Sequence, residues 1–163
     1  MKISDWNMMQ IKLYNEAKKF LMEAYGIELM IPVKINGRMK SKHGVFKHMC
    51  KYKKSVSIEI GMAYIENNSW ETIYSTLKHE CIHHALYELD KPFKDGHPYF
   101  EAELVKHGSH STGTVPYRGK VVVYACSGCG REIKRKKRYP RNGAGYTAMC
   151  CKAPIKFVGE RIV

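Results

Sequence analysis

Apolar residues recur at helical spacing in two long stretches of the chain. After Asp5, the positions Trp6, Met9, Leu13, Ala17, Phe20, Leu21 and Ala24 share one face of a helix, and Gly26 closes the run. The pattern predicts an amphipathic helix that packs on a core. Ser69 is placed to cap a second helix, whose apolar positions are Trp70, Ile73, Leu77, Ile82, Ala85, Leu86 and Leu89 and which stops before Lys91-Pro92. A shorter third helix is expected at about residues 98–107. Between the two long helices, residues 27–35 and 55–60 alternate or are rich in branched side chains, with Gly37 and Gly44 punctuating the stretch between them. That reads as a small antiparallel sheet, and the expected class is α+β, with helices packed on the sheet.

A Ser/Thr/Gly/Pro-rich connector, residues 108–116, marks a boundary beyond which the pattern turns from helical to extended. Two domains are expected, residues 1–115 and residues 116–163. In the second, residues 121–124 read as a strand and Cys126-Ser-Gly-Cys129-Gly as a turn. Residues 133–139 and 146–149 read as two extended runs joined by a loop with Asn142-Gly143, a hairpin signal.

Charge adds a partner to this picture. With 28 Lys/Arg against 15 Asp/Glu the formal charge is +13, a field that concentrates polyanions. Residues 116–163 hold 12 of the basic and 2 of the acidic side chains, so +10 belongs to the tail. There Arg131, Lys134, Arg135, Lys136, Lys137, Arg138 and Arg141 crowd together with Tyr139 and Tyr146 nearby. Such a set neutralises phosphates and offers rings to unpaired bases. These seven are the candidate nucleic-acid-binding residues, and DNA is the expected partner, bound without regard to sequence and with single strands among its forms. A second, acid-free stretch, residues 34–54, holds eight basic residues. Neither stretch has a motif for reading bases.

An apolar content of 44% is enough to build a core. No apolar run approaches the roughly 20 residues that cross a bilayer, and none resembles a signal-peptide core. The expected place is the cytoplasm, at the nucleoid in a bacterium, with no membrane partner. Thiols stay reduced there, so Cys126, Cys129, Cys150 and Cys151, four of the six cysteines, point to metal ligation before disulfides.

The chemistry is concentrated in the second helix, at His79-Glu80-x-x-His83. Residues four apart project from one face of a helix, so His79 and His83 can share a zinc ion while Glu80 lies beside it as general base. Three protein ligands leave a zinc position open for water, and the ion acidifies that water and polarises a carbonyl. The third ligand is not fixed by spacing. A metzincin would show a histidine soon after a glycine, but His83 is followed by His-Ala-Leu-Tyr-Glu. A deformylase-like site would need an upstream cysteine, and Cys50 lacks a glycine-rich setting. His97, which follows Asp95-Gly96 where a helix begins, is the favoured third ligand, with Glu101 and Glu103 the thermolysin-like alternatives. His84 is expected to point elsewhere on the helix.

With Leu77-Lys-His79-Glu80-Cys-Ile-His83-His-Ala-Leu, then Gly96-His97-Pro-Tyr-Phe100, then a basic cysteine-containing tail, the chain resembles the SprT-like family, which includes the Spartan-type proteases of DNA-crosslinked proteins. The resemblance implies a zincin-like metalloprotease core with zinc on His79, His83 and His97 and catalysis by Glu80. Phe100 would match the aromatic after the third histidine, although the spacing is one residue shorter than the common form. The resemblance also implies a C-terminal zinc ribbon, a second and structural ion on Cys126, Cys129, Cys150 and Cys151. Adjacent cysteines are unusual for a ribbon, since neighbours on a strand point to opposite faces unless the backbone bends. The implied activity is a zinc-dependent endopeptidase acting on DNA-bound or crosslinked proteins. The alternative is a DNA-associated zinc-binding protein without catalysis, which Glu80 disfavours because a purely structural site has no use for it.

Overall fold

The computed structural model describes residues 3–39, 42–111, 116 and 118–163. The chain divides into two compact units, Met1–Pro116 and Tyr117–Val163; residues 112–115 of the expected connector lie outside the described residues.

In the first unit, helix α1 (Ile3–Tyr25) buries Leu13, Ala17, Phe20 and Leu21, the stripe that the apolar spacing marks out. Strands β1 (Val33–Asn36), β2 (Gly44–Met49) and β3 (Lys54–Gly61) form one sheet in the order β1-β3-β2. The sheet is mixed, with β2 antiparallel and β1 parallel to β3. The parallel pair arises because Asn36 lies opposite Gly61 and Gly44 opposite Ile60: the chain leaves β1 and enters β2 at the same end of β3. Strand β2 thus becomes an edge. Ile58 and Ile60 of β3 face the core, while Glu59 is buried on the other face. Its carboxylate accepts from Asn36 Nδ2 at 2.6 Å and from the Ser57 hydroxyl at 3.1 Å, and pairs with Lys47 at 2.7 Å. One side chain thereby ties both outer strands to the centre. Burial alone would raise its pKa, but Lys47, Asn36 and Ser57 outweigh that and hold it below the usual carboxylate value.

Short helix α2 (Met62–Glu66) follows the sheet and leads into α3 (Trp70–Glu88), whose first turn is capped by Ser69 through the Thr72 N–H. Helix α3 is buried on most faces, with Ile73, Leu77, Cys81, Ile82, Ala85 and Leu86 in the core between α1 and the sheet. A helix so enclosed has a fixed position, which matters for any ligand it carries. Helix α4 (Pro98–Lys106) closes the unit with Phe100 and Leu104 buried.

The second unit is a three-stranded antiparallel sheet in the order β5-β4-β6, from β4 (Lys120–Cys126), β5 (Glu132–Arg135) and β6 (Ile155–Ile162). Asn142-Gly143 does not form the expected hairpin. It ends a 3-10 turn, Pro140–Gly143, in which Arg141 and Asn142 take positive φ. The Tyr124 hydroxyl accepts the Tyr139 N–H at 2.8 Å, which holds the chain after β5 against β4. The two runs are therefore not partners: β5 pairs with β4, and Thr147 bridges to Pro154. The buried core of this unit is small, built on Val122, Tyr124, Cys126, Ala148 and Ile155. Among the described residues, no helix is long and apolar enough to cross a membrane.

Candidate metal centres

Two clusters of ligand-type side chains emerge among the described residues, one in each unit. In the first unit, His79 Nε2 lies 3.1 Å from both His83 Nε2 and Asp95 Oδ1, and His83 Nε2 lies 3.4 Å from the same oxygen. On a tetrahedral ion about 2.0–2.1 Å from each donor, neighbouring donors stand about 3.3–3.4 Å apart, so this triangle has the size of a zinc site. The ring tautomers fit as well. His79 Nδ1 bonds the His110 carbonyl at 2.8 Å and His83 Nδ1 the Phe93 carbonyl at 2.5 Å. A carbonyl can only accept, so both Nδ1 atoms carry hydrogen and both Nε2 lone pairs face the shared point. Burial, then the neighbouring His79, push the His83 pKa down to about 4, which keeps that imidazole neutral and ready to ligate. Phe100 stacks on the His83 ring at 4.2 Å and meets His79 edge-on at 5.2 Å, forming a wall behind both.

Glu80 is 7% exposed and belongs to neither group of donors. Edge strand β2 holds it: the Phe46 N–H bonds its carboxylate, and Gly44 lies so close that a Cβ there would fall 2.8 Å from Glu80 Oε1. Burial, with a contribution from the charge of Asp95, raises its pKa to about 8. A carboxylate with that appetite for a proton is suited to general-base work. His84 turns away from the centre, buried with its Nδ1 3.1 Å from the Ser55 hydroxyl.

Asp95 stands where His97 was expected. Pro98 starts α4, so His97 is its cap, an exposed residue whose Nδ1 accepts the Tyr99 N–H at 3.2 Å. The loop from α3 to α4 instead turns Asp95 onto the histidines, and it supplies the Phe93 carbonyl to His83 as well. The alternatives are engaged elsewhere. Glu101 accepts the Gly96 N–H at 2.9 Å, Glu103 is bonded by Tyr25 and Lys106, and exposed Cys50 lies beside His48.

In the second unit the four expected sulfurs, Cys126, Cys129, Cys150 and Cys151, do converge, all within 4.8 Å of one another. The adjacent pair reaches one point because the backbone bends between paired segments: Ala148 and Ala153 are hydrogen-bonded, Lys152 N–H returns to the Ala148 carbonyl at 2.9 Å, and Lys152 takes φ +56°. Gly128 lets the two turns approach, since a Cβ there would lie 3.3 Å from Cys151 Cβ and 3.1 Å from Ala153 Cβ. The Arg131 N–H, then Cys151 and Cys150, hold the Cys129 thiol below its ordinary pKa, and the same contacts with Cys129 hold Cys150 and Cys151 above theirs.

Of the seven basic candidates, Arg131, Lys134, Lys136, Lys137, Arg138 and Arg141 are exposed and Arg135 is half-buried. Arg135 lies over the Tyr139 ring at 3.7 Å, and Tyr139 in turn packs on Tyr146 at 4.3 Å. Arg138 is tied to Glu160 at 2.9 Å and covers Phe157. Basic and aromatic side chains therefore share one part of the unit.

The chain is similar to known proteins over much of its length. Residues 11–112, from α1 to the segment after α4, match the SprT-like family. A Protein SprT-like from Streptococcus sanguinis is 25% identical over 130 residues, 78% of this chain and 86% of that protein. Another, from Lactiplantibacillus plantarum, is 26% identical over 108 residues, 64% of this chain and 72% of that protein.

Proposed function

The chain belongs to the SprT-like family, and from that membership and its histidine–carboxylate centre we propose that it is a zinc-dependent endopeptidase acting on proteins bound or crosslinked to DNA. One observation carries the reading: three donors of zinc-site dimensions lie beside a buried carboxylate, Glu80, that is not among them. Held by His79, His83 and Asp95, zinc supplies Lewis acidity toward water and toward the scissile carbonyl. The protein does the rest. Glu80, oriented by the Phe46 N–H, takes the proton of the attacking water and delivers it to the leaving amine once the C–N bond breaks. The enclosed α3 and the carbonyls of Phe93 and His110 keep both imidazoles in place without help from substrate.

Metal content of the purified chain, read beside cleavage, tests this. Glu80→Gln is expected to keep its zinc while cleavage falls by about 10²–10⁴-fold; an active variant would sink the mechanism.

The second unit brings the enzyme to nucleic acid, with its four thiolates on a structural zinc and its basic, tyrosine-bearing part on the phosphates and bases of DNA. Replacing Arg135, Lys136 and Lys137 together by Ser should weaken DNA binding and flatten its dependence on log salt by up to about 2–3. Unchanged affinity and slope would remove DNA from the reading.

A further inference from the structure

Ser75, Lys78 and His79 lie three and four positions apart and so share one face of α3. All three bond one short segment, residues 107–111, that follows α4. Lys78 Nζ donates to the carbonyls of His107 at 2.6 Å and Gly108 at 3.1 Å. The Ser75 carbonyl accepts the Ser109 hydroxyl at 2.8 Å. The buried Ser75 hydroxyl accepts the His110 N–H at 3.0 Å and is hydrogen-bonded to His110 Nδ1 at 2.5 Å. The next link is the His110 carbonyl, which accepts the Nδ1–H of His79.

From this chain of bonds we infer that residues 107–111 are a strap that positions the metal ligand His79, and that Ser75 acts on the metal through it. The inference rests on the zinc reading above. A carbonyl orients an imidazole only if its residue is held, and Ser75 bonds His110 at both its backbone N–H and its ring. Released, the His110 carbonyl no longer favours the tautomer with hydrogen on Nδ1, and an imidazole with hydrogen on Nε2 cannot ligate through that atom. His83 is secured by different means, since its acceptor, Phe93, belongs to the loop that carries Asp95. Ser75 is thus a positioning residue for one ligand of the three. Nothing in its own sequence neighbourhood marks it, because its partner lies 35 positions away.

The test uses the full chain, with zinc and cobalt(II) as the probes. Zinc affinity is measured against a competing chelator, and the sulfur-to-metal absorption of cobalt(II) reports the thiolate site separately. Ser75→Ala should weaken zinc at the histidine site by about 10–100-fold and leave the thiolate site unchanged. Ser75→Thr, which keeps the hydroxyl, should recover most of that loss. A folded Ser75→Ala protein with zinc affinity within about twofold of wild type would overturn the strap. Should that variant fail to fold, His110→Ala removes the ring half of the clamp from an exposed position, and undiminished zinc affinity there would overturn it equally. His79→Ala keeps the two claims apart: a wild type with no zinc sensitive to this change defeats the zinc reading itself, whereas a His79-dependent zinc indifferent to Ser75 defeats only the strap.

Discussion

In the first unit two of the three donors ride on α3, a helix enclosed by core residues, and each imidazole is bonded to a backbone carbonyl on its far side. In the second, the sulfurs come from the end of β4 and from two turns, three of the four are exposed, and the surrounding core is only a few residues. The contrast separates two uses of a metal. In the first unit three donors lie together on an enclosed helix and the loop after it, one fewer than a closed zinc site takes. The second brings together four cysteine sulfurs, the number a closed zinc site takes, beside a core of only a few residues.

The largest expected effect comes from removing the thiolate site. Cys126→Ser/Cys129→Ser should take one zinc of two from each chain and abolish the cooperative unfolding of the second unit, while the α-helical signal of the first persists; equal loss of structure in both would erase the contrast. Next is the open site. Asp95→Ala should weaken zinc at the histidine centre by more than about 100-fold, beyond what an outer partner costs. His97→Ala should leave that affinity unchanged and cost at most about 1 kcal/mol at the start of α4. A reversal of these two results, measured by chelator competition, would move the third ligand to His97. Gly44→Ala is finer. Its Cβ must displace Glu80 or β2, so cleavage should fall by about 10–100-fold with zinc retained.

The smallest effect is on the scaffold beneath the first site. Glu59 is held below its ordinary pKa of 4.5, so it contributes stability above that value and loses it as pH falls through the lowered one. The urea midpoint of the first unit should therefore drop below pH 4.5, and Glu59→Gln should remove much of that dependence. A metal-free protein with the same profile as the loaded one would sharpen the comparison.

Much of this was legible in the sequence because it is periodic. The stripe from Leu13 to Leu21, the Ser69 cap and the His79, Glu80 and His83 spacing all follow from the pitch of a helix. The four cysteines were legible by chemistry, although the bend that joins Cys150 and Cys151 depends on the pairing of Ala148 with Ala153. The position of Asp95 beside the two histidines was not, since a loop can present any of several neighbours. Strand β2 was hidden because an edge strand rich in Lys and His shows little apolar alternation. Asn142-Gly143 misled because positive φ serves a 3-10 turn as readily as a hairpin, and burial of Gly143 against Ile155 and Tyr124 selected the turn.

A divalent ion held by two neutral imidazoles and the Asp95 carboxylate keeps a net charge of one, where three imidazoles would leave two. By Coulomb's law its pull on a phosphate at a given distance is about half as strong. On the proposed function, such a centre would be a weak competitor for a polyanion, while residues 116–163 carry 12 Lys/Arg against 2 Asp/Glu. On the same reading, aspartate in place of a third histidine would sort the two kinds of ligand by charge, peptide carbonyl to one unit and phosphate to the other.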